Sequence, residues 1–413
     1  MRRTDTIIIG AGQAGLATSR TLCALGLDHV VLERGRLAER WRSERWSSLR
    51  LLTPAWMTRL PGHRDDGPDP DAFLTMGETI ALLERYARSF AAPVEEGVEV
   101  RCVERVPGGY RVLTASDEWR ARQVVIATGH AAEPLVPRAA RGLSPRILQL
   151  VPSRYRRASE LPSGGVLVVG ASATGAQLAE EIHASGRPVT LAVGRHTRMP
   201  RRYRGADVFR WLDRAGVLDE RFDDLPDPHA SRRQPSLQLV GRPASEPLDL
   251  GVLAARGVRV MGRLLGTDAT RAAFAGDLAA TTRAADHKLA RLLARIDRHV
   301  DAGGLDVAPP DPPGPLELDA PATTLDLARH GIQTVVWATG FARRYPWLRV
   351  PVLDAAGEIV HAGGVTRAPG LYVIGLHLLR TRRSSFIDGV GADARALALH
   401  IAARSGRAAT LAA

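Results

Sequence analysis

Thr6-Ile7-Ile8-Ile9-Gly10-Ala11-Gly12-Gln13-Ala14-Gly15 is the stretch that decides the fold. Its apolar run reads as a short strand, and the G-x-G-x-x-G that follows opens a helix, predicted over residues 14–25. Gly10 allows the tight turn, Gly12 lets backbone approach a pyrophosphate, and Gly15 lets helix and strand close on each other. The helix N-terminus then offers free N–H groups to phosphate charge. The next strand, His29–Leu32, ends on Glu33, 18 residues past Gly15, where a carboxylate accepts from ribose hydroxyls. An acid there repels a 2′-phosphate, so this βαβ unit suits FAD or NAD. Its place at the N-terminus, with a matching C-terminal strand, favours FAD. Gly10, Gly12, Gln13, Ala14, Gly15, Glu33 and Arg34 are its candidate contacts.

A related unit follows about 160 residues later. Strand residues 166–169 lead into Gly170-Ala171-Ser172-Ala173-Thr174-Gly175, then a helix to about His183, then strand residues 189–193. Ser172 replaces the middle glycine. It is small enough for phosphate to approach, and its hydroxyl can donate. The second strand ends not on an acid but on Gly194-Arg195-His196-Thr197-Arg198, with Arg201 and Arg202 beyond. Arginine there can hold the 2′-phosphate of NADPH through charge-assisted bonds of about 1.5–3 kcal/mol each. Arg195 is the first candidate, with Arg198 and Arg201 as helpers. Gly170, Ser172, Ala173, Thr174 and Gly175 would meet the pyrophosphate.

The remaining landmarks predict an α/β fold of two nested Rossmann-like dinucleotide-binding domains. An FAD-binding domain, residues 1–160 and 322–413, is interrupted by an NADPH-binding domain, residues 161–321, which carries a helical insertion. Strand-like stretches at 98–103 and 110–114 lead to Ala127-Thr128-Gly129, and a near-copy, Ala338-Thr339-Gly340, comes after the second unit. Residues 279–300 read as a long helix with Leu289, Leu292, Leu293, Ile296 and Val300 along one side. The proline-rich residues 308–321 cannot continue it and read as a linker. Residues 370–375 form a last strand and 393–403 a closing helix.

Composition bounds the function. Hydrophobic residues make up 45% and charged residues 24% of the 413, the profile of a soluble globular chain. No apolar run approaches the roughly 20 residues that cross a bilayer. The start runs straight into a strand and leaves no room for a signal peptide, so the expected location is the cytoplasm. The net charge of +12 does not imply nucleic-acid binding. Nearly all of it is arginine scattered among acids; Lys288 is the only lysine, and asparagine is absent. Cys23 and Cys102 are the two cysteines and form no Cys-x-x-Cys pair.

Taken together, the chain resembles the class B flavoprotein monooxygenases, the group containing flavin-containing monooxygenases, plant auxin-forming monooxygenases and Baeyer–Villiger enzymes. Trp41, Trp46, Leu49, Leu51, Thr53 and Pro54, with Arg42 and Leu52 between them, resemble that family's W-x-x-x-(Y/W)-x-x-L-x-L-x-T-P segment, which lies along the flavin, with one more residue between the two tryptophans. The paired Ala-Thr-Gly motifs and the C-terminal Gly-Leu-Tyr-x-x-Gly ending on Gly375 also match. The resemblance places Ile387 beside the flavin, ahead of a helix whose N-terminus points at the ring, and has Val103 present its backbone to the adenine. The family fingerprint F-x-G-x-x-x-H-x-x-x-(Y/W/F) is not kept: Pro145, Ile147 and Val151 stand at its first three positions, and only the aromatic, Tyr155, remains.

The resemblance implies an FAD- and NADPH-dependent single-component monooxygenase. Such an enzyme inserts one atom of O2 into a small organic substrate through a flavin C4a-(hydro)peroxide. The alternative is an NADPH-dependent FAD reductase, dehydrogenase or oxidase without oxygen insertion. A disulfide reductase needs paired cysteines that the chain lacks. Because the cofactor carries the chemistry, no side-chain nucleophile or acid–base pair is required. His130, His377 and Asp388 lie near the expected flavin-side loops and read as structural. No metal, nucleic-acid or membrane partner is expected, and neither the substrate nor the oligomeric state is legible.

Overall fold

The computed structural model of the chain describes residues 1–63, 67, 69–242, 247–319 and 321–406. Strand Arg2–Ile9 lies inside a mixed sheet and buries Thr6 to Ile9 completely or nearly so. It pairs in parallel with His29–Leu32 on one side and Glu118–Ile126 on the other, with Ile7 opposite Val30 and Val124. Val94–Glu95 extends one edge. On the other side Leu371–Val373 adds a further parallel strand, with Tyr372 opposite Val125. The last strand therefore completes the sheet that the first residues begin, and helix Val390–Arg404 packs on the glycine-turn helix Gln13–Ala24. Runs of Ile and Val with no polar alternation belong in such a sheet, because both of its faces are buried.

The second sheet is five-stranded and wholly parallel, in the order Arg259–Met261, Val189–Ala192, Gly165–Val169, Ile332–Trp337, Leu148–Leu150. This corrects the division expected at 160/161 and 321/322, which would leave Leu148–Leu150 and Ile332–Trp337 in the first domain. Ile332–Trp337 pairs with Gly165–Val169 and carries the second Ala-Thr-Gly into the second unit. Residues 98–103 are also corrected, since the strand there begins only at Cys102 and runs to Val106.

Helix Leu278–Gly303 spans 26 residues and ends on Gly304 at φ +54°, a left-handed cap that glycine adopts without strain. Leu289, Leu293, Ile296 and Val300 bury its apolar side against Tyr203, Phe209 and Trp211. The proline-rich stretch beyond it is pinned rather than loose. The Gly314 carbonyl accepts from Arg198 at 2.7 Å, and the Leu316 N–H donates to Asp286 at 2.9 Å.

Candidate functional site: two equivalent glycine turns

Each sheet carries one glycine turn, and the two match contact for contact. Gly10 and Gly170 hold φ of +107° and +106°, a backbone region closed to most L-residues. A side chain on Gly15 would overlap the Gly10 carbonyl, and one on Gly175 the Gly170 carbonyl. Beneath them the first turn rests on the Ala127 carbonyl and the second on that of Ala338. The two Ala-Thr-Gly segments thus do the same job in different units. Thr128, Gly129, Thr339 and Gly340 are at least partly accessible beside their turns.

At the cap of the first helix, Gly12 has extended backbone and no side-chain hydrogen bond, and nothing lies within 4 Å of where its Cβ would stand. Ser172 is the uncapped equivalent in the second. Both helices therefore begin with unclaimed N–H groups, the donor set a pyrophosphate requires. Glu33, at the end of the second strand, accepts from the Ala11 N–H at 2.7 Å and the Gly35 N–H at 3.1 Å. It is buried, and each oxygen keeps a lone pair for a ribose hydroxyl. Trp41 donates to Gln13 at 3.3 Å and so reaches the turn. Arg42 is held by Glu84 and the Leu37 carbonyl, and Arg34 by Glu44.

Several expected contacts are placed differently. Trp46 is buried in the core of the second unit, with Tyr155 and Leu178. The Leu52 carbonyl takes a hydrogen bond from Arg201 at 2.8 Å, next to Thr53, so this stretch is an interdomain seam. Ile387 lies in the first core. Val103, expected to present its backbone to an adenine, has both backbone groups engaged within the chain. Its N–H donates to the Trp347 carbonyl and its carbonyl accepts from the Arg349 N–H, both at 2.8 Å. Arg198 and Arg201 are likewise not free for a phosphate. Arg198 is 6% exposed and bonded to Asp249 and Asp286, while Arg201 is 4% exposed and paired with Asp207.

Arg195 remains. It is exposed, with no carboxylate within ion-pair distance among the described residues. Lys288, on the long helix, donates to Thr197 at 3.4 Å, and its pKa is lowered by burial and then by Arg291, Arg382 and Arg195. Being the only lysine was its sole signal in the sequence. At the first turn Arg40 donates to the Thr128 carbonyl at 3.3 Å, and Arg45 stacks over Trp41. Neither arginine was singled out by motif reading. His377 is held at about 4 by burial, then by Arg382 and Arg343. The pKa of His130, which keeps solvent contact, is also lowered, by partial desolvation and then by His377 and Arg343. Both imidazoles are neutral at pH 7.

Asp388, just before the last helix, is pushed up to about 6 by burial, which outweighs the pull of Arg383. Its Oδ2 accepts from Arg383 at 3.3 Å, and its Oδ1 has no partner among the described residues. A carboxyl raised by folding binds its proton more tightly in the native state. Stability from this group is therefore greatest below its unfolded value near 4 and falls as pH rises through about 6. Asp388→Asn should raise stability by about 1–3 kcal/mol at pH 8 and by about half as much at pH 5, which lies between the unfolded and folded values. Thermal melts at the two pH values check this, and equal effects at both would refute it.

Two α/β units, each with a phosphate-ready glycine turn, define an oxidoreductase that pairs a flavin with a nicotinamide nucleotide. The chain belongs to the pyridine nucleotide-disulphide oxidoreductase family, whose model matches residues 7–213. It is 31% identical to an uncharacterized oxidoreductase, CzcO-like, of Geobacillus kaustophilus, over 95% of this chain and 97% of that one. It is 30% identical to the indole-3-pyruvate monooxygenase YUCCA1 of Oryza sativa, over 50% of this chain and 53% of the relative. Among solved structures it is similar to the flavin-containing monooxygenase from Stenotrophomonas maltophilia, with TM-score 0.68 and 19% identity, covering 98% of this chain and all of that one. The bacillithiol disulfide reductase from Staphylococcus aureus shares the fold at TM-score 0.63 and 13% identity, over 98% and 99% of the two chains. Cys23 and Cys102 are free thiols on separate elements. Among the described residues no cluster suits a metal ion, and no helix is long and apolar enough to cross a membrane.

Proposed function

We propose that the chain is an NADPH-dependent, single-component flavin monooxygenase, with FAD on the 10–15 turn and NADPH on the 170–175 turn. The observation that carries this is a difference between two otherwise equivalent sites. The first ends its second strand on buried Glu33, the second on exposed Arg195 beside Lys288. An acid selects a free ribose and a base selects a 2′-phosphate. The likeness to an indole-3-pyruvate monooxygenase, with no cysteine pair for disulfide chemistry, supports oxygen insertion over disulfide reduction.

A bound flavin supplies hydride acceptance and oxygen activation; the chain supplies position, charge and dryness. The uncapped helix starts bind the pyrophosphates, and Glu33 fixes the ribose. Neutral His130 and His377 can form hydrogen bonds in the cleft without adding charge. The second unit closes the other side. The Phe222 N–H donates to the Arg380 carbonyl at 2.7 Å, and the Arg383 N–H to the Leu218 carbonyl at 3.1 Å. This docks residues 218–222 on the flavin-side segment.

The test is isotopic. With 18O2, NADPH and a panel of small organic substrates, one labelled atom is expected in the product per NADPH oxidised. Recovery of all the electrons as hydrogen peroxide across the panel would instead establish the oxidase or reductase reading. For the nucleotide, Arg195→Ala should cut the NADPH-over-NADH preference in kcat/KM by about 10- to 100-fold, the value of one charge-assisted contact. An unchanged ratio, with Lys288→Ala also silent, would show that the 2′-phosphate is read elsewhere.

A further inference from the structure

We infer that Arg232, carried by the second unit, anchors the anionic group of the substrate, an organic carboxylate. The word substrate rests on the function proposed above; the binding does not.

Arg232 ends the short helix Pro228–Arg232 and is held from two sides. Its guanidinium lies 3.9 Å from the centroid of the Phe222 ring, and its Nε and Nη2 donate to the Leu378 carbonyl at 3.3 and 3.2 Å. Phe222 is itself tied to the Arg380 carbonyl. The side chain is thus fixed across the seam between the two units before any ligand arrives, so little rotamer freedom is lost on binding. It is half-buried, yet among the described residues no carboxylate lies within 4.0 Å of it. Two nearby arginines have contacting carboxylates, Arg343 with Glu358 and Arg382 with Glu220, both at 2.5 Å, although Glu220 is shared with Arg295. The imidazoles around them add no charge. The His361 Nδ1 accepts from the Gly364 N–H at 3.2 Å, and burial followed by neighbouring arginines keeps His361 and His377 neutral at pH 7. Glu358 and Asp223 act on Arg232 only from beyond ion-pair distance, so a preorganised cation without a contacting carboxylate is left.

A half-buried guanidinium without a counter-ion is costly unless a ligand supplies one. The cofactor phosphates have donors of their own: the two helix starts, and Arg195 with Lys288 at the second turn. Arg232 instead touches Leu378, three residues beyond Gly375, the residue that abuts Ala14 of the first turn. That is at most about 11 Å of chain from the flavin-side turn. A planar guanidinium stacked on a ring matches a carboxylate better than a compact ammonium would.

Calorimetric titration of the FAD-loaded protein with phenylacetate and its neutral isostere phenylacetamide tests this. Phenylacetate should bind at least about 10-fold tighter. Arg232→Gln should bring the two within about 2-fold, while Arg232→Lys keeps part of the difference. Equal binding of acid and amide by the parent protein overturns the inference, as does undiminished discrimination in Arg232→Gln. Equal competition by inorganic phosphate would mark a general anion site, and loss of FAD affinity with discrimination intact would assign Arg232 to the cofactor; each overturns it too. Calorimetry needs no turnover, so failure of oxygen insertion would leave this result readable.

Discussion

Replacing Gly12 with valine should strip flavin from the protein without unfolding it. The position has extended backbone, φ −85° and ψ −173°, that valine adopts readily, and its Cβ would enter open space. At a helix N-cap the change from glycine costs no more than about 1 kcal/mol. The same open space is where backbone must come close to a pyrophosphate, and an isopropyl group would hold the phosphate off its N–H donors. Flavin affinity should fall by at least about 100-fold, or roughly 3 kcal/mol. Gly15→Ala provides the contrast. Its methyl would strike the Gly10 carbonyl, so flavin and stability should be lost together. Fluorescence titration with FAD, read beside circular dichroism melts, separates the two. Gly12→Val that binds FAD normally would remove the 10–15 turn from the flavin site.

The glycine turns were legible because their chemistry is local. A positive φ at Gly10 and a missing Cβ at Gly15 concern backbone a few residues away, and spacing alone reveals them. What was misjudged depended on distant partners. Val103 loses its free backbone to Trp347 and Arg349, more than 240 residues later, through a single bridge with no sequence signature. Strand Ile332–Trp337 reads like any buried strand, and only its pairing with Gly165–Val169 moves it into the second unit. Lys288 comes to Arg195 from a helix far along the chain, and Arg232 to Leu378 from another. The fold was therefore readable nearly throughout, while the charges around the clefts were readable only where a motif fixed them.

Arg198→Ala should unfold the second unit more easily and leave the choice of nucleotide alone, the reverse of Arg195→Ala three residues away. Arg198 donates to Asp249 from Nε and Nη2 at 3.1 and 2.8 Å, to Asp286 at 2.8 Å and to the Gly314 carbonyl at 2.7 Å. Burial opposes its charge, but Asp286 and Asp249 outweigh that, and its pKa is raised. Both acids have second duties: Asp249 caps helix Leu250–Ala255 through the Val252 N–H, and Asp286 holds the Leu316 N–H of the proline-rich strap. Removing the guanidinium leaves two carboxylates facing each other with little solvent. Breaking a buried pair this way costs about 3–5 kcal/mol. For a unit of this size the melting temperature should drop on the order of 10 °C. Arg198→Lys should recover only part, since one ammonium cannot serve two carboxylates and a carbonyl in the guanidinium's fork geometry. The NADPH-over-NADH ratio of the surviving folded protein should match the parent. A variant that melts normally but loses that ratio would place Arg198 at the 2′-phosphate and Arg195 outside it.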